Sequence, residues 1–290
     1  MRERPPELHL ERGCGVRRIG PGELPGFESV RAACGELLER ARPLVPRMQA
    51  AAAGKSQLTL DLFSDDLHAR DRRFVDFALQ DSVLLPVVEY LRTAPFLARL
   101  SLPLSLHVPG LPLPSYQQRF HLDNDDFRLV KLIVNLEDVD DDDGPFTFLP
   151  EDVTRRVLSA LRRENGALRR SLAFDDADVF RHADPSELQA LRGPPGSAIL
   201  VDGARCLHYG SRVKPGRQRP VLGAVYLRHA RLCENSSSQF DPPGEDLDPL
   251  RKRALRSPRP RPRGYFLRDV LADAEASASR STISSNGRIA

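Results

Sequence analysis

Apolar side chains recur every three to four positions in the N-terminal part of the chain. This spacing occurs over residues 27–53 and about 67–100, and it places the apolar side chains on one face of a helix. A third helix is predicted from the acidic start at residue 151 through residue 168. Three prolines are predicted to break or start helices: Pro43, Pro46 and Pro86.

Strand-like patterns dominate after about residue 120. Residues 129–136 are apolar on both alternating faces apart from Lys131 and Asn135, which predicts a strand covered on both sides. Residues 196–210 contain an apolar strand, a tight turn and a second short strand, and this order predicts a hairpin that presents His208 near its end. The pattern therefore predicts helices in the N-terminal part of the chain and strands at residues 129–136 and within residues 196–210.

His121 and Asp123 form a His-any-Asp pair, the first candidate for chemistry. Residues two apart in a strand point to the same side, so both side chains can reach one ion. Two imidazoles and one carboxylate suit ferrous iron and leave coordination positions open, and among the other histidines only His208 has a supporting context. Asp125 is an alternative ligand, although its spacing of four from His121 suits a helix better than a strand.

Five segments with compatible spacing resemble the phytanoyl-CoA dioxygenase-like branch of the iron(II)- and 2-oxoglutarate-dependent oxygenases. They are residues 118–123, 127–140, 144–150 and 193–196, and His208 with the Arg219-Pro220 pair. The resemblance covers residues 115–226. Within it, 85 positions separate Asp123 from His208, which leaves room for several strands and one helix.

The resemblance implies a fold and an activity. The fold is mainly β with helical additions. It is a double-stranded β-helix, a cupin-like jelly roll with the metal at the open end between its two sheets and N-terminal helices against one outer face. In it, His121 and Asp123 lie on an early core strand and His208 on a late one. The implied activity uses iron(II), 2-oxoglutarate and O₂ to hydroxylate an unactivated C–H bond of a small molecule, releasing succinate and CO₂. Related halogenases lack the carboxylate ligand, so Asp123 argues against halogenation.

The resemblance also assigns residues to the co-substrate. An arginine after the distal histidine binds the far carboxylate of 2-oxoglutarate in this family, and Arg219, eleven positions after His208, matches it. A guanidinium offers a planar fork to a carboxylate and keeps its charge when buried. Arg217 shares the strand face of Arg219 and remains a rival. Lys131 either contacts 2-oxoglutarate or an acidic neighbour, or extends to solvent. Gln118 matches a residue expected to contact substrate or co-substrate.

The sequence departs from the family pattern after Pro150, where many relatives have a proline-glycine-serine-histidine turn beside the substrate pocket. Here Glu151 follows directly. Family members accept acyl-CoA thioesters, amino acids, sugars and natural products, and no segment selects among these substrates. A metal-binding jelly-roll protein with a sensing or structural role is the alternative function.

Other acidic, histidine and cysteine residues in the sequence are predicted not to form metal sites. Residues 138–143 are all acidic except Val139 but lack the central glycine and the downstream glutamate of a calcium loop, so a turn is predicted. His182 and His229 are predicted to have no metal role. The cysteines have no paired spacing and are predicted to be reduced thiols: Cys14, Cys34, Cys206 and Cys233.

Composition places bounds on the protein. A chain of 290 residues with 40% hydrophobic content can bury a sizeable core, and a net charge of +3 is too small to indicate a nucleic-acid partner. No apolar run has membrane-spanning length and no signal peptide is evident, so a cytoplasmic location is expected. The oligomeric state stays open.

Three regions are predicted along the chain. They are an N-terminal extension (residues 1–26), one catalytic jelly-roll domain with its helices (27–249), and a tail (250–290). The tail contains a basic, proline-rich stretch interpreted as a solvated linker, a short helix over 265–274 and a serine-rich segment over 277–290 predicted to be disordered.

Overall fold

Two antiparallel sheets enclose the interior of the computed structural model, which describes residues 10, 15–53, 59–63, 71–108, 116–165, 173–229 and 246–255. The larger sheet contains β1 (Val16–Ile19), β2 (Thr59–Asp61), β3 (Phe96–Ser101), β4 (Pro103–Leu106), β6 (Leu129–Asn135), β10 (Ala198–Val201) and β12 (Gln218–Leu227). The smaller sheet contains β5 (Phe120–His121), β7 (Thr147–Phe148), β8 (Ala173–Phe174), β9 (Gln189–Ala190) and β11 (His208–Tyr209). The strand orders are β1-β10-β6-β12-β4-β2, with β3 also beside β12, and β8-β5-β11-β7-β9.

Alternation along the strands separates two faces of the larger sheet. In β6, Val130, Leu132 and Val134 point outward into the main hydrophobic cluster, while Lys131 and Ile133 point toward the smaller sheet. Both faces of this strand are covered, as its sequence predicts. The outward apolar face must then be buried against another layer.

Helices supply that layer. The helices are α1 (Phe27–Ala41), α2 (Val45–Ala53), α3 (Arg73–Ala78), α4 (Asp81–Leu91), α5 (Glu151–Asn165), α6 (Asp176–Phe180) and α7 (Pro249–Leu255). Buried side chains of α1, α3, α4 and α7 join the outward face of the larger sheet in one cluster. Helix α5 packs its apolar stripe on the smaller sheet around Phe120. The prediction of a mainly β jelly roll buttressed by N-terminal helices is confirmed.

The helix predicted to reach residue 100 is wrong in its last part. Helix α4 ends at Leu91, and Phe96–Ser101 forms strand β3, which pairs with β12. A short apolar run fits a helix and a strand equally well on sequence alone. Pairing with β12 decides the outcome in favour of a strand.

The predicted hairpin over residues 196–210 is also wrong. Strand β10 lies in the larger sheet between β1 and β6, whereas β11 lies in the smaller sheet between β5 and β7. Residues 202–207 therefore cross from one sheet to the other. The local pattern identified both strands and the turn but could not identify their partners.

Pro86 lies inside α4 rather than at a boundary. Proline has no N–H, so the carbonyl of Ser82, four residues earlier, loses its helical donor. The Arg17 guanidinium on β1 donates to that carbonyl instead, at 3.1 Å. The other two prolines behave as predicted, because Pro43 lies in a 3-10 turn and Pro46 in the first turn of α2.

The N-terminal segment contributes to the sheet as well. Val16–Ile19, within the predicted extension, pairs with Ala198–Val201 as edge strand β1. Cys34 and Cys206 are buried thiols, as predicted, while Cys14, Cys233 and the predictions for 265–274 and 277–290 lie outside the described residues. None of the helices in the described ranges is long and apolar enough to cross a membrane.

The contact between Arg17 and Ser82 predicts a conditional effect on stability. Arg17→Met removes the donor to the Ser82 carbonyl and should lower the free energy of unfolding by about 1–2 kcal/mol. In a Pro86→Ala background the loss should be about half as large, because the new N–H of residue 86 takes over that carbonyl. Urea unfolding of the four proteins measures the coupling, and equal losses in both backgrounds would contradict it.

Candidate metal centre

A cavity of about 510 Å³ opens between the two sheets, a volume typical of small-molecule sites. On the β10 side, an apolar cluster that includes Phe148, Ile199 and Val201 fills the space between the sheets. On the β12 side, the inward positions are smaller or polar and the space stays open. His121, Asp123 and His208 all line this cavity.

The fold brings His121, Asp123 and His208 together. His121 on β5 and His208 on β11 are direct cross-strand partners, and their ring centroids lie 4.3 Å apart. One candidate ligand atom from each of the three residues lies within 4.8 Å of the others. Asp123 follows β5 rather than lying on it, which corrects the predicted shared strand, and its N–H donates to the Gly203 carbonyl at 2.9 Å.

Both imidazoles are held in the form that binds a metal. Nδ1 of His121 lies 2.9 Å from the Arg119 carbonyl oxygen, and Nδ1 of His208 lies 2.8 Å from that of Cys206. A carbonyl only accepts, so Nδ1 carries the proton and Nε2 keeps its lone pair. Burial lowers the pKa of His121 and lowers that of His208 to about 3, so both rings are neutral near pH 7.

Asp123 is ionised although it is largely buried. Burial alone raises its pKa, but Lys131 and the two histidines oppose burial and bring the pKa to about 2. Lys131 Nζ lies 2.7 Å from each carboxylate oxygen and donates its hydrogen bond to Oδ1. Oδ2 receives no hydrogen bond of good geometry and lies 3.7 Å from Nε2 of His208. Lys131 thus has the acidic neighbour that was one of its predicted alternatives.

The three side chains fit a divalent ion with open coordination positions. Bonds of about 2.0–2.2 Å from a metal to nitrogen and oxygen place two ligands of one ion within about 4.4 Å of each other. The three candidate ligand atoms lie within 4.8 Å of one another, and a small side-chain adjustment brings them to that spacing. Two neutral imidazoles, one carboxylate oxygen without a hydrogen bond and free space in the cavity match iron(II).

Gly203 sets the position of the carboxylate, and sequence reasoning missed it. A Cβ built at Gly203 would lie 1.9 Å from Oδ2 of Asp123 and 3.0 Å from its Cγ. The glycine is therefore needed for space, since its φ lies outside the left-handed region. Its place in the crossover between the sheets, which the sequence could not reveal, is what brings it against Asp123.

Arg219 and Arg217 lie in different surroundings. Arg219 is 5% exposed, lines the cavity and lies near β11, where a Cβ on Gly210 would be 3.5 Å from its Nη2. Arg217 lies before β12, exposed, with its guanidinium 2.6 Å from Asp140 and 3.4 Å from Asp143. Of the two arginines, only Arg219 lines the cavity that His121, Asp123 and His208 also line.

The remaining predicted residues lie around the site. Gln118 is buried and donates to the Ser211 carbonyl at 2.8 Å, whereas its neighbour Gln117 lines the cavity. Asp125 lines the cavity but is not one of the three clustered ligands. His182 lies 2.8 Å from Glu164 and His229 lies 3.5 Å from Asp126, and neither belongs to the cluster.

Comparisons with known proteins find structural neighbours only. No protein-family model matches the chain, and no curated protein matches it. The structure of HygX from Streptomyces hygroscopicus with nickel and 2-oxoglutarate bound is 18% identical, with a TM-score of 0.45 over 75% of this chain and 87% of that chain. EctD from S. alaskensis with 2-oxoglutarate and 5-hydroxyectoine is 15% identical, with a TM-score of 0.46 over 87% and 82% of the two chains.

A third neighbour is the epimerase SnoN in complex with Fe3+, alpha ketoglutarate and nogalamycin RO. It is 17% identical to this chain, with a TM-score of 0.41 over 85% of this chain and 90% of that chain. At such identities and scores, function has to be argued from the residues of this chain.

The contact between Gly203 and Asp123 predicts the effect of one added methyl group. Gly203→Ala should displace the Asp123 carboxylate and weaken iron(II) binding by about 10- to 100-fold, as losing the support of a metal ligand does. Anaerobic calorimetric titration with iron(II) measures the affinity. Gly35→Ala is the matched control, because a Cβ there meets nothing within 4 Å and should leave the affinity unchanged. Wild-type affinity in Gly203→Ala would rule out this positioning role.

Proposed function

We propose that the protein is an iron(II)- and 2-oxoglutarate-dependent oxygenase that acts on a small molecule. The observation that supports the proposal best is that a largely buried cluster of two histidines and a carboxylate shares one cavity with a buried arginine. The cluster consists of His121, Asp123 and His208, and the arginine is Arg219. A cation and a metal centre in one cavity suit a co-substrate with a chelating keto acid at one end and a carboxylate at the other.

His121, Asp123 and His208 would hold iron(II) through Nε2, Oδ2 and Nε2. When bound, the iron supplies the redox chemistry that couples oxidation of 2-oxoglutarate by O₂ to oxidation of a C–H bond. Lys131 holds the other carboxylate oxygen of Asp123, so the ligand oxygen keeps its direction. The two carbonyls that accept from Nδ1 fix the orientation of the imidazoles in the same way.

Arg219 would bind the far carboxylate of 2-oxoglutarate. Its Nε has no hydrogen-bond partner, and its guanidinium forms no ion pair with any residue that the structure describes. Burial lowers its pKa to about 10, against a smaller opposite effect of Asp143, so it is still charged near pH 7. A buried cation without an anion is costly, and a carboxylate that fills the cavity would remove the cost.

The finer parts of the proposal rest on the motifs around the site. The order of the segments in residues 115–226 favours the phytanoyl-CoA dioxygenase-like branch, and an intact Asp123 favours hydroxylation over halogenation. Lys131 would contact 2-oxoglutarate only by giving up its hydrogen bond to Asp123. Iron(II) and the buried thiols Cys34 and Cys206 suit a reducing compartment such as the cytoplasm.

Anaerobic titration with iron(II) and 2-oxoglutarate tests the function. Chelation of the keto acid should produce a weak visible charge-transfer band in the wild-type protein. His208→Ala should abolish the band, because it removes a metal ligand. Arg219→Ala should need at least about 10-fold more 2-oxoglutarate, the effect of losing a charge-assisted pair. Arg217→Ala is the matched control and should stay within about twofold, since its ion pairs with Asp140 and Asp143 lie outside the cavity.

The outcomes separate the two functions. A folded wild-type protein that binds iron(II) but shows no band would overturn the oxygenase proposal and favour a metal-binding role without turnover. A larger loss in Arg217→Ala than in Arg219→Ala would reverse the assignment of the two arginines.

A further inference from the structure

Three charged side chains that line the cavity have no role in the proposed metal and co-substrate sites: Asp61, Arg99 and Asp125. Both Asp61 on β2 and Arg99 on β3 line the cavity, on the side of the larger sheet beyond β12. The other basic groups already have functions, because Lys131 holds Asp123 and Arg219 faces the co-substrate. Asp125 lies in the segment after β5, whereas Asp61 and Arg99 are two charges of opposite sign on the larger sheet that can contact a substrate.

Strand register places Arg99 level with the metal centre. Arg99 is the cross-strand partner of Val225, and Val225 is in turn the partner of Lys131, whose amine contacts Asp123. Neighbouring strands lie about 4.8 Å apart, so the backbone of Arg99 is about 10 Å from that of Lys131 across the floor of the cavity. The Arg99 side chain is exposed and forms no hydrogen bond or ion pair with any residue in the described ranges. It is a cation that is available to a ligand beside the metal.

Asp61 lies on the same edge of the sheet and is held in place by the backbone. Its Oδ1 accepts hydrogen bonds from the N–H groups of Leu102, at 2.8 Å, and Phe63, at 3.2 Å. Within the described part of the chain, no donor reaches Oδ2. Burial raises the pKa of Asp61, and Arg99 and the two N–H groups only partly oppose it. The carboxylate is thus fixed in place with one oxygen left for a cationic or hydroxyl partner.

Asp61 and Arg99 do not neutralise each other by contact. Arg99 is close enough to lower the pKa of Asp61, yet the two form no ion pair within 4.0 Å. The floor beside them is made of small side chains, including Ala98 and Gly223, and a Cβ on Gly223 would lie only 2.8 Å from Ser101 Oγ. Space and two separate charges are the features that bind a molecule carrying both signs.

We propose that the substrate is a small zwitterion of the amino-acid type, with its carboxylate bound by Arg99 and its ammonium group by Asp61. This assignment rests on the proposed oxygenase function and specifies its substrate class. It disfavours fatty acids and neutral sugars, which would leave one or both of these charges without a partner in the cavity.

Binding of matched compounds tests the assignment in the protein loaded with iron(II) and 2-oxoglutarate without O₂. The probes are the common L-amino acids, their carboxamides, which lack the carboxylate, and their N-acetyl derivatives, which lack the ammonium group. Calorimetry should find an amino acid that binds at least about 10-fold more tightly than both of its derivatives, since one charge-assisted contact is worth about 1.4 kcal/mol or more. Succinate release on admitting O₂ then shows whether the bound compound is a substrate.

Variants identify which of the two residues binds which charged group of the amino acid. Arg99→Gln should weaken binding of that amino acid at least about 10-fold but leave the carboxamide unchanged. Asp61→Asn should weaken binding of the amino acid but not of the N-acetyl derivative. The asparagine Oδ1 can still accept hydrogen bonds from the N–H groups of Leu102 and Phe63, so the local backbone contacts are kept. Arg155→Gln is the control, because Arg155 is exposed on α5 and lies outside the cavity.

The failures of the two proposals are distinguishable. A protein without the charge-transfer band fails as an oxygenase. If the band is present, any one of three results overturns the substrate assignment. These are that no amino acid binds, that fatty acids or neutral sugars alone stimulate succinate release, or that Arg99→Gln weakens binding of the amino acid and of its carboxamide equally.

Discussion

Asp123 carries a negative charge into the space between two β-sheets, and its surroundings keep it there. Its backbone N–H is held by the Gly203 carbonyl, one of its oxygens by Lys131, and the other faces His208. A buried carboxylate without compensation would take up a proton, but here the nearby ammonium keeps it ionised. The position of the Asp123 carboxylate is thus set by contacts to both the larger sheet and the crossover between the sheets.

The crossover of residues 202–207 is itself anchored at several points. Asp202 is fully buried, accepts a hydrogen bond from the Tyr90 hydroxyl at 2.7 Å, and donates its N–H to the Gly15 carbonyl. Leu207 donates to Thr154 at the start of α5. The segment that carries Gly203 and leads into His208 is therefore connected to α4, to the N-terminal strand and to α5. A rigid support of this kind is what a preorganised metal site requires.

Local spacing predicted the covered strand, and the resemblance of five segments predicted the layers of the fold and the three side chains that lie together. Alternation placed residues 129–136 in a covered strand, and the His-any-Asp pair with a distal histidine named the three side chains that the fold brings together. Patterns failed where the partner of a strand mattered, as in the false hairpin ending at His208 and the helix extended over Phe96–Ser101. Arg99 was overlooked for the same reason, since a residue read as helical has no assigned sheet face.

The choice between Arg217 and Arg219 shows a different limit. Two residues apart, they share a face on any strand, so parity could not separate them. The difference arises because β12 begins at Gln218, which leaves Arg217 in the preceding turn beside Asp140. Only the tertiary structure contains that boundary, and burial then distinguishes the two guanidinium groups.

Gly203 has a consequence for how such sites diverge. The space that a methyl group would occupy at position 203 is already filled by a carboxylate oxygen of Asp123, so the two positions are sterically linked. In a descendant protein without an acidic residue at position 123, a larger side chain would fit at position 203. Paired change at these two positions, which lie 80 residues apart in the chain, would then record the loss of a three-ligand centre in sequences whose structures are unknown.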